Sequence, residues 1–327
     1  MAVSTSPGGG MIETHELRRT FKTRKVSVEA VRGVNLSVRA GEIFGFLGPN
    51  GAGKTTTLRM LATLITPTGG DATVAGADLR NEPARVRERI GYVAQGGSTD
   101  PAMHGRGELV IQGRLYGMSR RAAEARAAEV LAALDLEAAA DRPTGTYSGG
   151  MRRRLDVGLG IVHRPVVLFL DEPTTGLDPQ ARVHMWDEIR KLREAGTTIF
   201  LTTHYLEEAD ALCDRLAIID HGLIVAEGTS DELKQQVAGD VVTIGVDGDP
   251  QRVLGTVKGQ SFVREASVDD DGLVRLYVDH GDSAVPLLLR MLDGAGLAPR
   301  TISLSRPSLD DVFLRQTGRS LRDEAAA

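Results

Sequence analysis

Cysteine is nearly absent from this chain: Cys213 is the only one in 327 residues. An intramolecular disulfide is therefore excluded, and the usage fits a reducing compartment. The seven histidines are scattered and no cysteine pair accompanies them, which gives no support to a structural zinc site. No segment approaches the roughly 18 uninterrupted apolar residues needed to cross a bilayer. The opening "MAVSTSPGGG" lacks the apolar core of a signal peptide, and residues 1–10 read as a flexible lead-in. Basic charge is not in excess either. The formal net charge of -5 argues against a nucleic-acid coat or a basic membrane-surface anchor. Asparagine occurs only at Asn35, Asn50 and Asn81, never in the N-K-x-D run that reads guanine. Lysine is scarce, with six among the 39 basic residues, so Lys54 is a rare residue type here. The arginine clusters Arg120–Arg121 and Arg152–Arg154 read as solvated helix faces.

What remains is an ordinary globular composition, 41% hydrophobic and 25% charged, in a chain long enough for two domains. From Met11 to about Asp231, short β-like runs alternate with amphipathic helical stretches. "EIFGFLG" (42–48), "IGYVAQ" (90–95), "VVLFLDEP" (166–173), "TTIFLTTH" (197–204) and "LAIID" (216–220) are continuous apolar runs. Such runs predict strands buried on both faces, as in a parallel sheet flanked by helices. Before them, "VSVEAVRGVNLSV" alternates with a period nearer two, which predicts a half-exposed antiparallel sheet. Residues 97–147 contain helix-like stretches and no convincing strand, the pattern of an all-helical insertion. After about Val237 the order of elements restarts as βαββαβα, compatible with a small ferredoxin-like α+β domain.

Residues Gly48 to Thr55, within "GFLGPNGAGKTTTLRML", match G-x-x-x-x-G-K-[ST] and lie between a strand and a helix. Glycines there let successive N–H groups point inward around phosphate oxygens. Lys54 supplies a point charge for the β- and γ-phosphates, Thr55 a hydroxyl for Mg²⁺, and the helix its positive end. A carboxylate at the end of another buried strand should complete such a site. "VVLFLDEP" provides Asp171 for the Mg²⁺ shell and Glu172 to polarise the attacking water. Three further stretches narrow the class. "TYSGGMRRRLDVGLG" (146–160) places a serine and two glycines before a long helix, a second anion-binding N-terminus. "YVAQ" ends a strand with an amide beside the helical insertion. "TTHYLEEAD" ends another with His204, which could sense a γ-phosphate, although a lone strand-end histidine is more often structural.

Together and in this order, "GPNGAGKTT", "YVAQ", "YSGGM", "LFLDEP", "GLDP" and "TTH" resemble the ATP-binding cassette family over residues 11–235. The resemblance implies a P-loop ATPase core of α/β class with an antiparallel β subdomain and a helical subdomain at about 97–160. Residues 236–327 would form an accessory α+β domain. It further implies that Gly48, Pro49, Asn50, Gly51, Ala52, Gly53, Lys54, Thr55 and Thr56 hold the ATP phosphates. Phe21 would stack on adenine, a contact worth roughly 1–3 kcal/mol. By the same resemblance Thr55, Gln95 and Asp171 would hold Mg²⁺, and Gln95, Glu172 and His204 would serve catalysis. Ser148, Gly149 and Gly150 are the signature, offered to a second chain, and Asp178 lies in the inter-subunit loop. Tyr147 and Met151 depart from the family's usual leucine and glutamine. The implied protein is an ATP-hydrolysing homodimer at the cytoplasmic face of a membrane, driving a separate permease. "IDHG", "AEGT" and "SLDDVFL" resemble the daunorubicin-resistance branch of drug-export ATPase subunits. A soluble, non-transport cassette ATPase is the rival class. Such proteins usually carry two cassettes or a long coiled coil, and the sequence has neither.

Overall fold

Three strands, Ile43–Leu47, Val167–Asp171 and Thr198–Thr203, are buried at every position, and their side chains, pointing to alternate sides, build the core. A computed structural model describes residues 10–22, 26–236, 239–269 and 271–318. The lead-in expected at 1–10 lies, except for Gly10, outside the described residues. The described chain divides into two compact units, one ending at Ser230 and one starting at Asp231.

In the first unit, β1 (Ile12–Lys22), β2 (Ser27–Val38), β4 (Gly69–Val74) and β5 (Ala77–Asp78) make an antiparallel sheet in the order β2-β1-β4-β5. A second sheet runs β10-β9-β3-β8-β7-β6. Its members are β3 (Ile43–Leu47), β6 (Ile90–Val93), β7 (Val167–Asp171), β8 (Thr198–Thr203), β9 (Arg215–Asp220) and β10 (Leu223–Gly228). All its pairings are parallel except that of β10 with β9. On β7, Val167 and Phe169 enter one core while Leu168 and Leu170 enter the other, so the run is apolar at every position. The first core holds Phe44, Phe46 and Phe169 around Phe200, with ring centroids 5.6–5.8 Å apart. Burying each such ring contributes roughly 1.5–3 kcal/mol. α1 (Lys54–Leu61) and α2 (Pro83–Arg89) flank this core through Leu58, Leu61 and Val86.

The opposite core is closed by helices. α3 (Gly105–Leu115), α4 (Arg120–Ala133) and α5 (Gly149–Ile161) form the expected helical region, and α6 (Pro179–Glu194) and α7 (Leu206–Leu212) complete the layer. Tyr147 is buried and its hydroxyl donates to Ala139 O at 2.6 Å, so the unusual signature residue serves as a packing anchor. Arg120 and Arg121 are exposed, as their charge suggests. The solvated-face reading of Arg152–Arg154 fails at the middle position: Arg152 is exposed, Arg153 is buried and Arg154 is half-buried. Helical geometry is the reason. Arg153 shares a stripe with Val157, Gly160 and Ile161, which face the sheet.

The second unit contains α8 (Ser230–Gln236) from its second residue onward. It continues with β11 (Asp240–Val246), α9 (Pro250–Val257), β12 (Val263–Val268), β13 (Val274–Val278), α10 (Gly281–Gly294), β14 (Pro299–Ser305) and α11 (Leu309–Thr317). Its sheet is antiparallel in the order β12-β13-β11-β14, the ferredoxin-like arrangement. Val242, Ile244, Leu276 and Val278 pack there against Val253, Leu288 and Leu292 of α9 and α10. The division falls after the first residue of α8, where the alternation of strands and helices read from the sequence ends, and ahead of the 235/236 boundary that the family resemblance implies. A bond within the second unit accompanies it: Arg315 of α11 donates to Gln236 O at 2.8 Å.

Candidate functional site

The loop from Gly48 to Gly53 joins β3 to α1 and carries glycine where the backbone demands it. Gly53 has φ 108°, and a β-carbon there would meet Ala30 O at 2.5 Å. The first intrahelical bond of α1 is donated by Thr57 N to Gly53 O. The amides of Lys54, Thr55 and Thr56 therefore precede the helical ladder, the geometry of an anion-binding N-terminus. Lys54 is 4% exposed. Its Nζ donates to Gly48 O at 2.7 Å and Pro49 O at 3.0 Å, and lies 3.5 Å from Glu172 Oε1. Burial lowers the Lys54 pKa; the neighbouring Glu172 and Asp171 charges oppose that shift without cancelling it.

The two carboxylates sit at the end of β7, where the chain leaves the sheet. Asp171 Oδ1 accepts from Thr55 Oγ1 at 2.9 Å and from Thr202 Oγ1 at 2.8 Å. Asp171 Oδ2 is buried without a hydrogen-bond partner among the described residues. A buried, unbonded carboxylate oxygen beside a threonine hydroxyl is the hard-oxygen donor set that Mg²⁺ takes, so these residues fit the ion. Glu172 Oε2 accepts from Gln95 Nε2 at 2.7 Å and Thr175 Oγ1 at 3.1 Å. His204 Nδ1 is 3.2 Å from the same oxygen, without the alignment of a hydrogen bond. Burial alone would raise the Glu172 pKa, but His204, Lys54 and Thr175 outweigh it and leave the carboxyl below its usual value. The group is thus ionised at neutral pH.

Asn50, Gly51, Gly53, Lys54, Thr55, Thr56, Gln95 and Glu172 line one cavity of about 180 Å³. His204 reaches the same centre through Glu172. The signature lies elsewhere: Ser148, Gly149, Gly150 and Asp178 line a separate cavity of about 450 Å³. Ser148 caps α5 by accepting from Met151 N at 3.2 Å, and Asp178 caps α6 by accepting from Ala181 N at 2.8 Å. Phe21 stands on β1, half-exposed, with the Arg19 guanidinium 4.6 Å from its ring centre.

Three residues at this centre escape a motif-based reading. Thr202 and Thr175 bond the two carboxylates, and Arg153 bonds the backbone behind them. Helical period would have found Arg153; the threonines carry no comparable signal. One further cluster, Asp135, His184 and Glu188, brings three potential ligand atoms within 4.8 Å of one another. Cations already serve it: Arg154 Nη1 lies 3.2 Å from His184 Nε2, and Lys191 Nζ donates to Glu188 at 2.9 Å.

A phosphate loop at the end of β3, carboxylates at the end of the neighbouring-but-one strand and a serine–glycine helix start define a P-loop ATPase of the cassette type. The comparisons agree. The family described as "ABC transporter" matches residues 31–175, and "ATP-binding protein DrrA1-3-like, C-terminal domain" matches 228–317. The chain belongs to the ATP-binding proteins of the ABC transporter family. The daunorubicin/doxorubicin resistance ATP-binding protein DrrA of Streptomyces peucetius is 44% identical over 96% of this chain and 94% of its own. The linearmycin resistance ATP-binding protein LnrL of Bacillus subtilis is 34% identical over 96% and 100%. Among solved structures, a dimeric post-hydrolysis state of the ATP-binding cassette MJ0796 with ADP and Pi is 25% identical. It superposes with a TM-score of 0.62 over 67% of this chain and 98% of its own.

Proposed function

We propose that this protein binds and hydrolyses MgATP as a homodimer and thereby drives a separate membrane permease that exports a drug or secondary metabolite. The observation that carries the reading is the separation of two half-sites, with the phosphate loop and carboxylates in one cavity and the signature in another. Each half lacks what the other has, so a second copy completes both. Backbone amides at the loop and α1 hold the phosphates, with Lys54 across the β- and γ-groups. Thr55, Asp171 and Gln95 would hold Mg²⁺, which when bound neutralises phosphate charge. Glu172 accepts a proton from water as the water oxygen bonds the γ-phosphorus. The bond from that phosphorus to the ADP oxygen breaks, and ADP and phosphate leave. His204 and Gln95 hold Glu172 in place and contact the γ-phosphate side. Phe21 stacks on the adenine.

The export reading is supported by the relatives' resistance names. On this reading the protein sits at the cytoplasmic face of the membrane, held there by its permease; no helix among the described residues is long and apolar enough to cross a membrane.

Steady-state hydrolysis by purified protein tests the chemistry. Lys54→Ala should abolish tight ATP binding or turnover. Glu172→Gln should bind ATP yet turn over more slowly, by roughly 10²–10⁴. Full-rate hydrolysis by Glu172→Gln would remove the general base. In cells co-expressing the permease, resistance that survives Glu172→Gln would show that hydrolysis here does not drive it.

A further inference from the structure

Arg153 has no part in the chemistry above, yet it is a charge placed where charge is costly. It stands on the signature helix α5 and is 7% exposed. All three guanidinium nitrogens donate to main-chain carbonyls. Nε reaches Pro173 O at 2.8 Å, Nη1 reaches Ala94 O at 2.6 Å, and Nη2 reaches Asp171 O at 3.1 Å and Glu172 O at 3.3 Å. The nearby Asp156 carboxylate, one turn along α5, helps to hold the buried charge. Only a planar fork reaches four carbonyls in this way; a lysine offers one compact ammonium.

The four carbonyls are not scattered. Ala94 immediately precedes Gln95, and the other three belong to Glu172 and its two chain neighbours. Glu172 itself has φ 47°, a left-handed conformation that a non-glycine residue keeps only when its surroundings impose it. On its N-terminal side the restraint is visible: Glu172 N donates to Thr202 O and to Thr202 Oγ1, both at 3.1 Å. On its C-terminal side Arg153 holds the carbonyls of Glu172 and Pro173, and Thr175 N also donates to Glu172 O at 3.3 Å. The same fork holds the strand end that carries Gln95, whose amide donates to the Glu172 carboxylate.

We propose that Arg153 is a positioning residue: it clamps the main chain on both sides of the Gln95–Glu172 bond. It thereby ties the signature helix of each protomer to that protomer's own general base. This rests on the reading of Glu172 as the base. A signature helix that shifts as it closes on a partner's nucleotide then moves the clamp at its own Glu172, which links the two pockets of a dimer through one buried side chain.

A double-mutant cycle decides the matter, with kcat and KM for ATP measured in wild type, Arg153→Met, Glu172→Gln and the double variant. Arg153→Met should lower kcat on the order of 10²-fold, the effect of aiming a catalytic group wrongly by about an ångström. KM should stay within about threefold, because the clamp bonds main-chain carbonyls only and touches neither the phosphate loop nor a side chain that would hold Mg²⁺. In the Glu172→Gln background, Arg153→Met should cost less than about threefold further, since there is no base left to aim. If Arg153→Met does not fold, as judged by circular dichroism, the same cycle is run with Arg153→Lys, which keeps the charge and loses the fork. Normal kcat in the Arg153 variant, or an equal loss with and without the Glu172 carboxylate, overturns the proposal while leaving Glu172 as the base. Full turnover in Glu172→Gln alone overturns both.

Discussion

Protonating His163 would put a charge into a pocket with nothing to receive it. Its Nε2 lies 2.9 Å from Ile90 O, and its ring stacks on Tyr116 with centroids 3.6 Å apart. Nδ1 is buried without a hydrogen-bond partner among the described residues. Burial pushes the His163 pKa below its ordinary 6.5; the bond to Ile90 opposes the shift, and the charge of Arg126 adds to it. Below pH 6.5 the unfolded chain therefore binds more protons at this residue than the folded one does. The stability this residue contributes is complete above 6.5 and drains away as pH falls through the lowered folded value. Urea midpoints measured from about pH 7 down to about pH 5 should fall for wild type. They should fall less steeply for His163→Gln, which keeps a donor for Ile90 O and does not titrate. Equal slopes would assign the acid sensitivity to other groups.

At the scale of elements, α5 lies against β6 through a contact that leaves no room for a side chain. A β-carbon on Gly91 would stand 2.1 Å from Gly160 O, a backbone atom that cannot step aside. Gly91→Ala should therefore push α5 off the sheet and lower stability by about 1–3 kcal/mol, read as a drop in Tm. An unchanged Tm would mean that α5 is free to slide. The same helix shows where sequence reading stops. The phosphate loop, the Asp171–Glu172 pair and the doubly buried strands were legible because each is written in consecutive residues. Arg152, Arg153 and Arg154 are consecutive too, but a helix turns neighbours by 100°, so one run of charge meets solvent, core and half-shelter in turn. Strand β1 escaped for a related reason. Its pairing with β2 shifts register between Thr14 and Leu17 and again at two later points, which breaks the period-two pattern. The ferredoxin-like order of the second unit was legible as a succession of elements, and the alternation of the first unit ended at about Asp231, where the structure divides; the family resemblance carried the first unit on to 235, and no motif marks the bond of Arg315 to Gln236.

For the whole molecule, the decisive question is whether a pocket is built by one chain or by two. In the proposed homodimer, two-fold symmetry makes the contributions reciprocal: a protomer that lends its signature borrows its partner's. Consider Lys54→Ala, which spoils the phosphate loop, and Ser148→Glu, which sets a negative charge against the phosphates at the start of α5. Each variant alone should be inactive, since both pockets of its homodimer carry the defect. In a mixed dimer the defects fall together: one pocket combines the damaged loop with the damaged signature, and the other combines an intact loop with an intact signature. When equal amounts assort at random, half of the dimers are mixed and one of their two pockets is sound. ATPase activity should then recover to about a quarter of the wild-type rate, provided a single pocket can turn over. Chains that build their pockets alone would stay inactive at every mixing ratio. Repeating the mixture with both variants ended before Val237 asks what the second unit does. Recovery at undiminished yield would remove a dimer-stabilising role from the ferredoxin-like unit, while lost recovery with each truncated monomer still folded would assign it one.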